Sequence, residues 1–343
     1  MEIDEYERSL QHSARVLREA SLDAFLRKVM CDTVGSERCG SVRIYVVKDS
    51  SMNAGMFPNG MMLVNTGLLA RLHSEAELAA IFGHEFAHFE KRHSLNKFLE
   101  RRRSNDWASW IALAGAAAAV NTNDTIRDLR IGLIAFTRLQ ETEADILAGG
   151  LVVGSHYRLR ASYVWLRVIE EEDALRAERG LRKIRRLVPA LSDDHPTNEQ
   201  RFLYFAKQES EVGDWGEDGT EGYRAATSVV LPILFDALIK GNDFAVADYV
   251  IRSRGEALGW DAPLLALRGD LYRLHGSPRD LASAQDFYQQ AIAKPEAPSS
   301  AWRGLGLAQL KLGNPAGRDT LADFLKRDPA APDANMLKML LEN

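Results

Sequence analysis

The sequence predicts a mainly α-helical protein: a first domain in which helices cover a small antiparallel β-sheet, then an α-helical repeat array. Three observations predict it. Apolar residues recur at helical spacing along most of the 343 residues. Extended patterning is confined to the run 41–50 and to two short pieces flanking the turn signal Pro58-Asn59-Gly60. Beyond about residue 224, three segments of similar pattern follow one another, each a helix, a glycine and a second helix.

Taken in order, residues 1–30 read as one or two amphipathic helices, and SVRIYVVKDS (41–50) is a β-branched run suited to a strand. MMLVN, comprising Met61, Met62, Leu63, Val64 and Asn65, reads as a second strand, antiparallel to its neighbour across the Pro58-Asn59-Gly60 turn. Ser74 then opens a helix. Ser74-Glu75-Ala76-Glu77 has the form of a capping box, and Leu78, Ile81 and Phe82 make an apolar stripe. A second long helical pattern covers 126–153 and contains QETEADILAGG; helical segments continue to about Ala206. The acid- and glycine-rich stretch 207–223 reads as a linker, which divides the chain into 1–206 and 224–343.

In the second part Gly241, Gly276 and Gly313 lie 35 and 37 residues apart, against a tetratricopeptide period of about 34. Gly269, Tyr272, Ala291, Pro295, Trp302 and Gly306 fall near that repeat's signature places. A tetratricopeptide-like array is the expectation and a generic set of helical hairpins the alternative. Either buries its core by stacking and leaves a concave face for a protein partner.

Composition narrows the function classes. A net charge of −5 argues against nucleic acid as a partner, since phosphate binding needs a basic surface. The acidic run Glu170 to Asp173 and the basic run Arg182 to Arg186 read as a solvated face of mixed charge. Cys31 and Cys39 are the only cysteines; they form one local disulfide in an oxidising compartment or two buried thiols in a reducing one. The first twenty residues lack a basic segment followed by an apolar one, so the protein is either cytoplasmic or numbered after removal of a leader. The longest apolar run, WASWIALAGAAAAV (107–120), begins at Trp107 and ends at Val120. It falls short of the ~20 residues a spanning helix needs and reads as buried or as a membrane-surface contact.

IFGHEFAHFEKRHS (81–94) carries the chemistry. His84 and His88 stand at i and i+4, on one helix face, where two imidazoles can chelate one ion. Zinc is the expected cofactor, one ion with three protein ligands and a water. Glu85, beside His84, is placed to reach that water as general base. His93 is not expected as a ligand: while the helix continues it points about 140° away from His88, which leaves a helix-end or supporting role. The third donor is then a carboxylate from another helix. Glu141 and Asp145 share a face with Ala144 and Ala148, whose small side chains permit close approach. Glu141 is the expected third ligand, and Asp145 the acceptor for the outer N–H of a ligand histidine. Glu143, turned about 200° from Glu141, faces elsewhere.

H-E-x-x-H followed by E-x-x-A-D resembles the gluzincin metallopeptidases of the HtpX, BepA and CAAX prenyl protease type. The entry NAGMFPNGMMLVNTGLLARLHSEAELAAIFGHEFAH and the downstream DDHPTNEQR resemble further elements of that family, so the likeness covers about residues 15–205. The resemblance implies a zincin-like α+β peptidase core with His84, His88 and Glu141 on zinc, Glu85 as base and Asp145 as the outer acid. It also implies catalytic roles for His195, near the metal as a donor to the oxyanion or a cap on the zinc, and for Arg201. Met61–Asn65 would be an edge strand that pairs with an extended polypeptide substrate. A repeat tail after such a core is BepA-like, and this implies a periplasmic zinc metalloendopeptidase that acts on unfolded or misassembled envelope proteins. The alternative is a repeat-based assembly factor with latent proteolysis.

Overall fold

With so little extended sequence, the sheet must be small and helices must supply most of the core. The computed structural model describes residues 2–96, 138–185, 196–241 and 243–342. They form two compact units, one of Met1–Leu68, Ser74–Glu170 and Lys183–Ala226, the other of Leu69–His73, Glu171–Arg182 and Thr227–Asn343.

The first unit opens with α1 (Glu2–Gln11), β1 (Val16–Leu17), α2 (Ala20–Val34), α3 (Ser36–Cys39), β2 (Arg43–Val47), β3 (Ala54–Met56) and β4 (Met61–Asn65). The sheet order is β1-β2-β4-β3. The sheet is mixed rather than antiparallel, because β2 and β4 pair in parallel from Arg43↔Met61 to Val47↔Asn65. Past β2 the chain runs beyond the place of β4, then turns back at Pro58-Asn59-Gly60 into the middle of the sheet. Gly60 makes that turn at φ 86°, and a Cβ on it would lie 2.3 Å from the Ser41 carbonyl oxygen.

This topology corrects the expected edge. Met61, Met62, Leu63, Val64 and Asn65 are all buried, and β4 is hydrogen-bonded on both sides. Among the described residues the outer strands are β1 and β3, and β3 pairs with β4 antiparallel, as the turn predicted. The two strands were separable in the sequence, but which of them lies outside depends on the parallel partner, eighteen residues away in register.

After the short α4 (Thr66–Arg71), helix α5 (Glu75–Glu90) begins where the sequence placed it. Ser74 Oγ accepts from the Glu77 N–H at 3.1 Å, and the Glu77 carboxylate pairs with Arg167. Leu22, Leu26 and Val29 of α2 and Leu78 and Phe82 of α5 are wholly buried, and these two helices pack together. On another side α5 meets α6 (Arg138–Val153) with minimal clearance: a Cβ on Gly83 would lie 3.3 Å from Ala148 Cα. Next come α7 (Ala161–Glu178) and α8 (Asn198–Val212), the latter opened by a reciprocal cap between Thr197 and Gln200.

The stretch 207–223 is not a free linker. Its first six residues complete α8, and Asp218 then pairs with Arg158 at 3.1 Å and with Arg160 at 2.9 Å. Glu217 bridges to Tyr157, whose hydroxyl donates to Glu75 Oε2 at 2.8 Å. Gly219 and Gly222 cover Glu75 so closely that a Cβ on Gly222 would lie 2.0 Å from its Oε1. The acids and glycines that suggest a flexible tether in the sequence are used for ion pairing and close approach. The acidic run also departs from a purely solvated face: Glu171 pairs with Arg71 at 2.6 Å and Asp173 is buried.

In the second unit, α10 (Leu231–Ile239) pairs with α11 (Phe244–Leu258), α12 (Ala262–His275) with α13 (Pro278–Ile292), and α14 (Ser299–Lys311) with α15 (Ala316–Arg327); α16 (Ala334–Glu342) closes the series. α9 (Thr220–Ser228) precedes them. Gly276 and Gly313 turn the second and third hairpins at φ 80° and 76°. Gly269 and Gly304 lie against the ring of the buried Tyr288, and Gly306 against Leu321. Among the described residues, no single helix is long and apolar enough to cross a membrane. The run 107–120 lies outside the described residues.

Cys31 and Cys39 form a disulfide across the α2–α3 junction, eight residues apart in sequence. Closing so short a loop restrains the unfolded chain by about 2.5 kcal/mol. The double variant Cys31→Ser/Cys39→Ser should therefore lose about that much stability, read from its urea unfolding midpoint.

Candidate metal centre

Helix α5 presents its two histidines inward, and α6 presents Glu141 and Asp145 to meet them. His84, His88 and Glu141 are buried, and their ligand atoms converge. His84 Nε2 lies 3.1 Å from His88 Nε2 and 3.6 Å from Glu141 Oε2; His88 Nε2 lies 3.4 Å from Glu141 Oε1. A tetrahedral ion with bonds of about 2.0–2.2 Å separates its donors by about 3.3–3.6 Å, close to the observed spacings. Two imidazoles and a carboxylate are also a donor set that zinc accepts, so these residues fit a metal.

The outer nitrogens are held from behind. His84 Nδ1 is 2.8 Å from Asp145 Oδ1, the partner expected from the i, i+4 spacing. His88 Nδ1 is 3.1 Å from His93 Nδ1. With both Nδ1 atoms engaged, both Nε2 atoms are left to face Glu141. Arg201, expected to function at the reacting centre, instead grips Asp145: its Nε donates to Oδ2 at 3.0 Å and its Nη2 to Oδ1. The guanidinium lies 3.8 Å from the centroid of the Trp165 ring. Its Nη1 also lies 3.8 Å from Glu141 Oε2 and its Nη2 3.1 Å from His84 Nδ1, so Arg201, in the first turn of α8, backs the ligand cluster directly as well as through Asp145. His195 lies outside the described residues.

Glu85 sits beside the cluster without joining it. Its carboxylate accepts a hydrogen bond from the Met56 backbone N–H. The Met56 carbonyl accepts from the buried Ser94 hydroxyl at 3.0 Å. Asn53 and Phe57 bond to β4, so alternation along β3 turns the backbone groups of Ala54 and Met56 away from β4. Met56 of β3 therefore contacts both Glu85, within α5, and Ser94, beyond its end.

The model of peptidase family M48 matches residues 16–207, more than half of the chain. The chain belongs to this family. A beta-barrel assembly-enhancing protease of Yersinia pestis is 24% identical over 299 residues, covering 77% of this chain and 58% of the relative. The mitochondrial metalloendopeptidase OMA1 of Schizosaccharomyces pombe is 30% identical over 163 residues, 46% of this chain and 44% of that protein. The chain thus spans about half the length of these curated relatives. The M48 match contains both halves of the cluster and reaches Arg201.

Electrostatics separate the roles within this M48 centre. Burial pushes the Glu85 carboxyl up to about 7; Glu141 adds to the rise, while His84 and Arg201 oppose it. Burial lowers His88 to about 4, which keeps its imidazole neutral, the form a metal requires. Burial works to raise Asp145, but the Arg201 charge and the His84 hydrogen bond outweigh it and hold that carboxyl below its usual range. Three site residues escaped the sequence reading: Trp165, Met56 and Ser94. Only Ser94 carried a signal, as a small hydroxyl placed directly after His93.

Proposed function

We propose that the chain is a zinc-dependent metalloendopeptidase that hydrolyses peptide bonds of unfolded or misassembled proteins. The observation that carries this reading is the convergence of His84 Nε2, His88 Nε2 and Glu141 on one point, with Glu85 beside them and outside the ligand set. When bound, zinc supplies a lowered water pKa and polarises the scissile carbonyl. His84, His88 and Glu141 hold it. Glu85 takes the proton of the attacking water and delivers it to the departing amide nitrogen. Asp145, clamped by Arg201, keeps the His84 proton on Nδ1. β3 rather than β4 would meet an extended substrate, through the outward N–H and C=O of Ala54, since those of Met56 are engaged by Glu85 and Ser94.

The hairpins of the second unit serve as a tetratricopeptide-like docking surface for a protein partner. The disulfide supports an oxidising compartment, and the likeness to a beta-barrel assembly-enhancing protease supports the bacterial periplasm.

Stripping the protein with a chelator should abolish cleavage of a permanently unfolded protein such as reduced, alkylated casein, and one equivalent of zinc should restore it. The readout is fragment formation over time. Cleavage that persists in the metal-free protein would count against the proposal, as would a zinc-loaded protein that cuts nothing while its second unit still captures a partner.

A further inference from the structure

Asp145 meets the outer nitrogen of His84 directly, but His88 is met by a second imidazole. His88 Nδ1 and His93 Nδ1 are 3.1 Å apart, and a hydrogen bond between them needs one protonated nitrogen and one bare one. When a metal takes the lone pair of His88 Nε2, the His88 proton must sit on Nδ1, so His88 donates and His93 Nδ1 accepts. The His93 proton then sits on Nε2, which lies 3.2 Å from Glu143 Oε2. Glu143 is in turn held by Lys91 at 2.8 Å.

The local backbone is shaped to make this contact. α5 stops at Glu90, and Arg92 takes φ 57°, a left-handed conformation that a non-glycine residue adopts at some cost. That turn brings His93 back behind His88 instead of letting it continue round the helix. His93 ends up 4% exposed, so its bond to His88 is shielded from water. Lys91, Arg92 and His93 thus form one corner that hands His88 to Glu143 on α6.

We propose that His93 is a positioning residue for the metal ligand His88, with its own tautomer set by Glu143, so that a carboxylate reaches this ligand through an intervening imidazole. The inference takes from the preceding section the reading that His84, His88 and Glu141 hold the metal. It makes the two ligand histidines unequal: His84 is backed by a carboxylate and His88 by a second imidazole.

The test uses the full chain and zinc alone. Zinc affinity is measured by competition with a chromophoric chelator for wild type, His93→Phe and His93→Gln. His93→Phe should weaken zinc binding about 10–100-fold. His93→Gln, which can present an amide oxygen to the His88 N–H, should recover part of that loss. In wild type loaded with zinc, histidine 15N–1H correlation spectra should place the His88 proton on Nδ1 and the His93 proton on Nε2. This last readout needs no variant and does not respond to a merely space-filling role. A His93 proton on Nδ1, or unchanged zinc affinity in both variants, would overturn the proposal while leaving the metal site standing. A wild-type chain that binds no zinc would overturn both.

Discussion

Glu85→Gln lowers the cleavage rate of an unfolded protein by about 10²–10⁴-fold and leaves zinc bound. Gln keeps the size and the hydrogen-bonding oxygen of Glu85 but cannot carry a proton away from water. Because Glu85 is not among the converging ligand atoms, metal content should not change. The same substitution should stabilise the metal-free protein. Burial raises the Glu85 carboxyl from 4.5 to about 7 in the folded chain, so the folded state binds more protons than the unfolded state between those values. Wild type therefore loses stability as pH rises through that window, and a neutral Gln does not. At pH 8 the metal-free variant should exceed wild type by about 1–3 kcal/mol, with the difference vanishing below about pH 4.5. Urea unfolding of both proteins across pH 4 to 8 checks it. Equal slopes with pH would show that Glu85 does not ionise from a buried site.

Glu141→Ala removes zinc. A donor lost from a three-residue ligand set should weaken binding more than loss of an outer partner, which is itself worth about 10–100-fold. The expected loss is therefore at least about 100-fold for Glu141→Ala and about 10–100-fold for Asp145→Ala. Elemental analysis after dialysis against a weak chelator reads both. A variant lacking Glu141 that retains one zinc per chain would move the third ligand elsewhere and undo the pairing of α5 with α6 as the two halves of the site.

Where local chemistry decides an element, the sequence was legible. Ser74 caps α5, an apolar stripe carries it, and i, i+4 spacing puts His84 with His88 and Glu141 with Asp145. The alanines of α6 announced the close approach now seen between Gly83 and Ala148. Long-range pairing was not legible in the same way. Met61–Asn65 reads as a strand, but its central place depends on a parallel partner that no turn signal specifies. The stretch 207–223 looks like a tether until Arg158 and Arg160, more than fifty residues earlier, claim Asp218. His93 was kept off the ligand list on the ground that it points away along a continuing helix. It returns to His88 only because the helix stops at Glu90 and Arg92 turns the chain. Glu143 does face away from the ligand cluster, as its angle predicted, and finds His93 there.

The most direct test of the central claim is zinc-edge X-ray absorption on the 343-residue chain loaded with one equivalent of zinc. The account predicts a first shell of nitrogen and oxygen alone at about 2.0–2.2 Å, with the scattering pattern of two imidazoles, both lost in Glu141→Ala. A first shell with three imidazoles would add a further histidine to the ligand set and contradict the account, and zinc that fails to bind at one site per chain would contradict the metal centre itself.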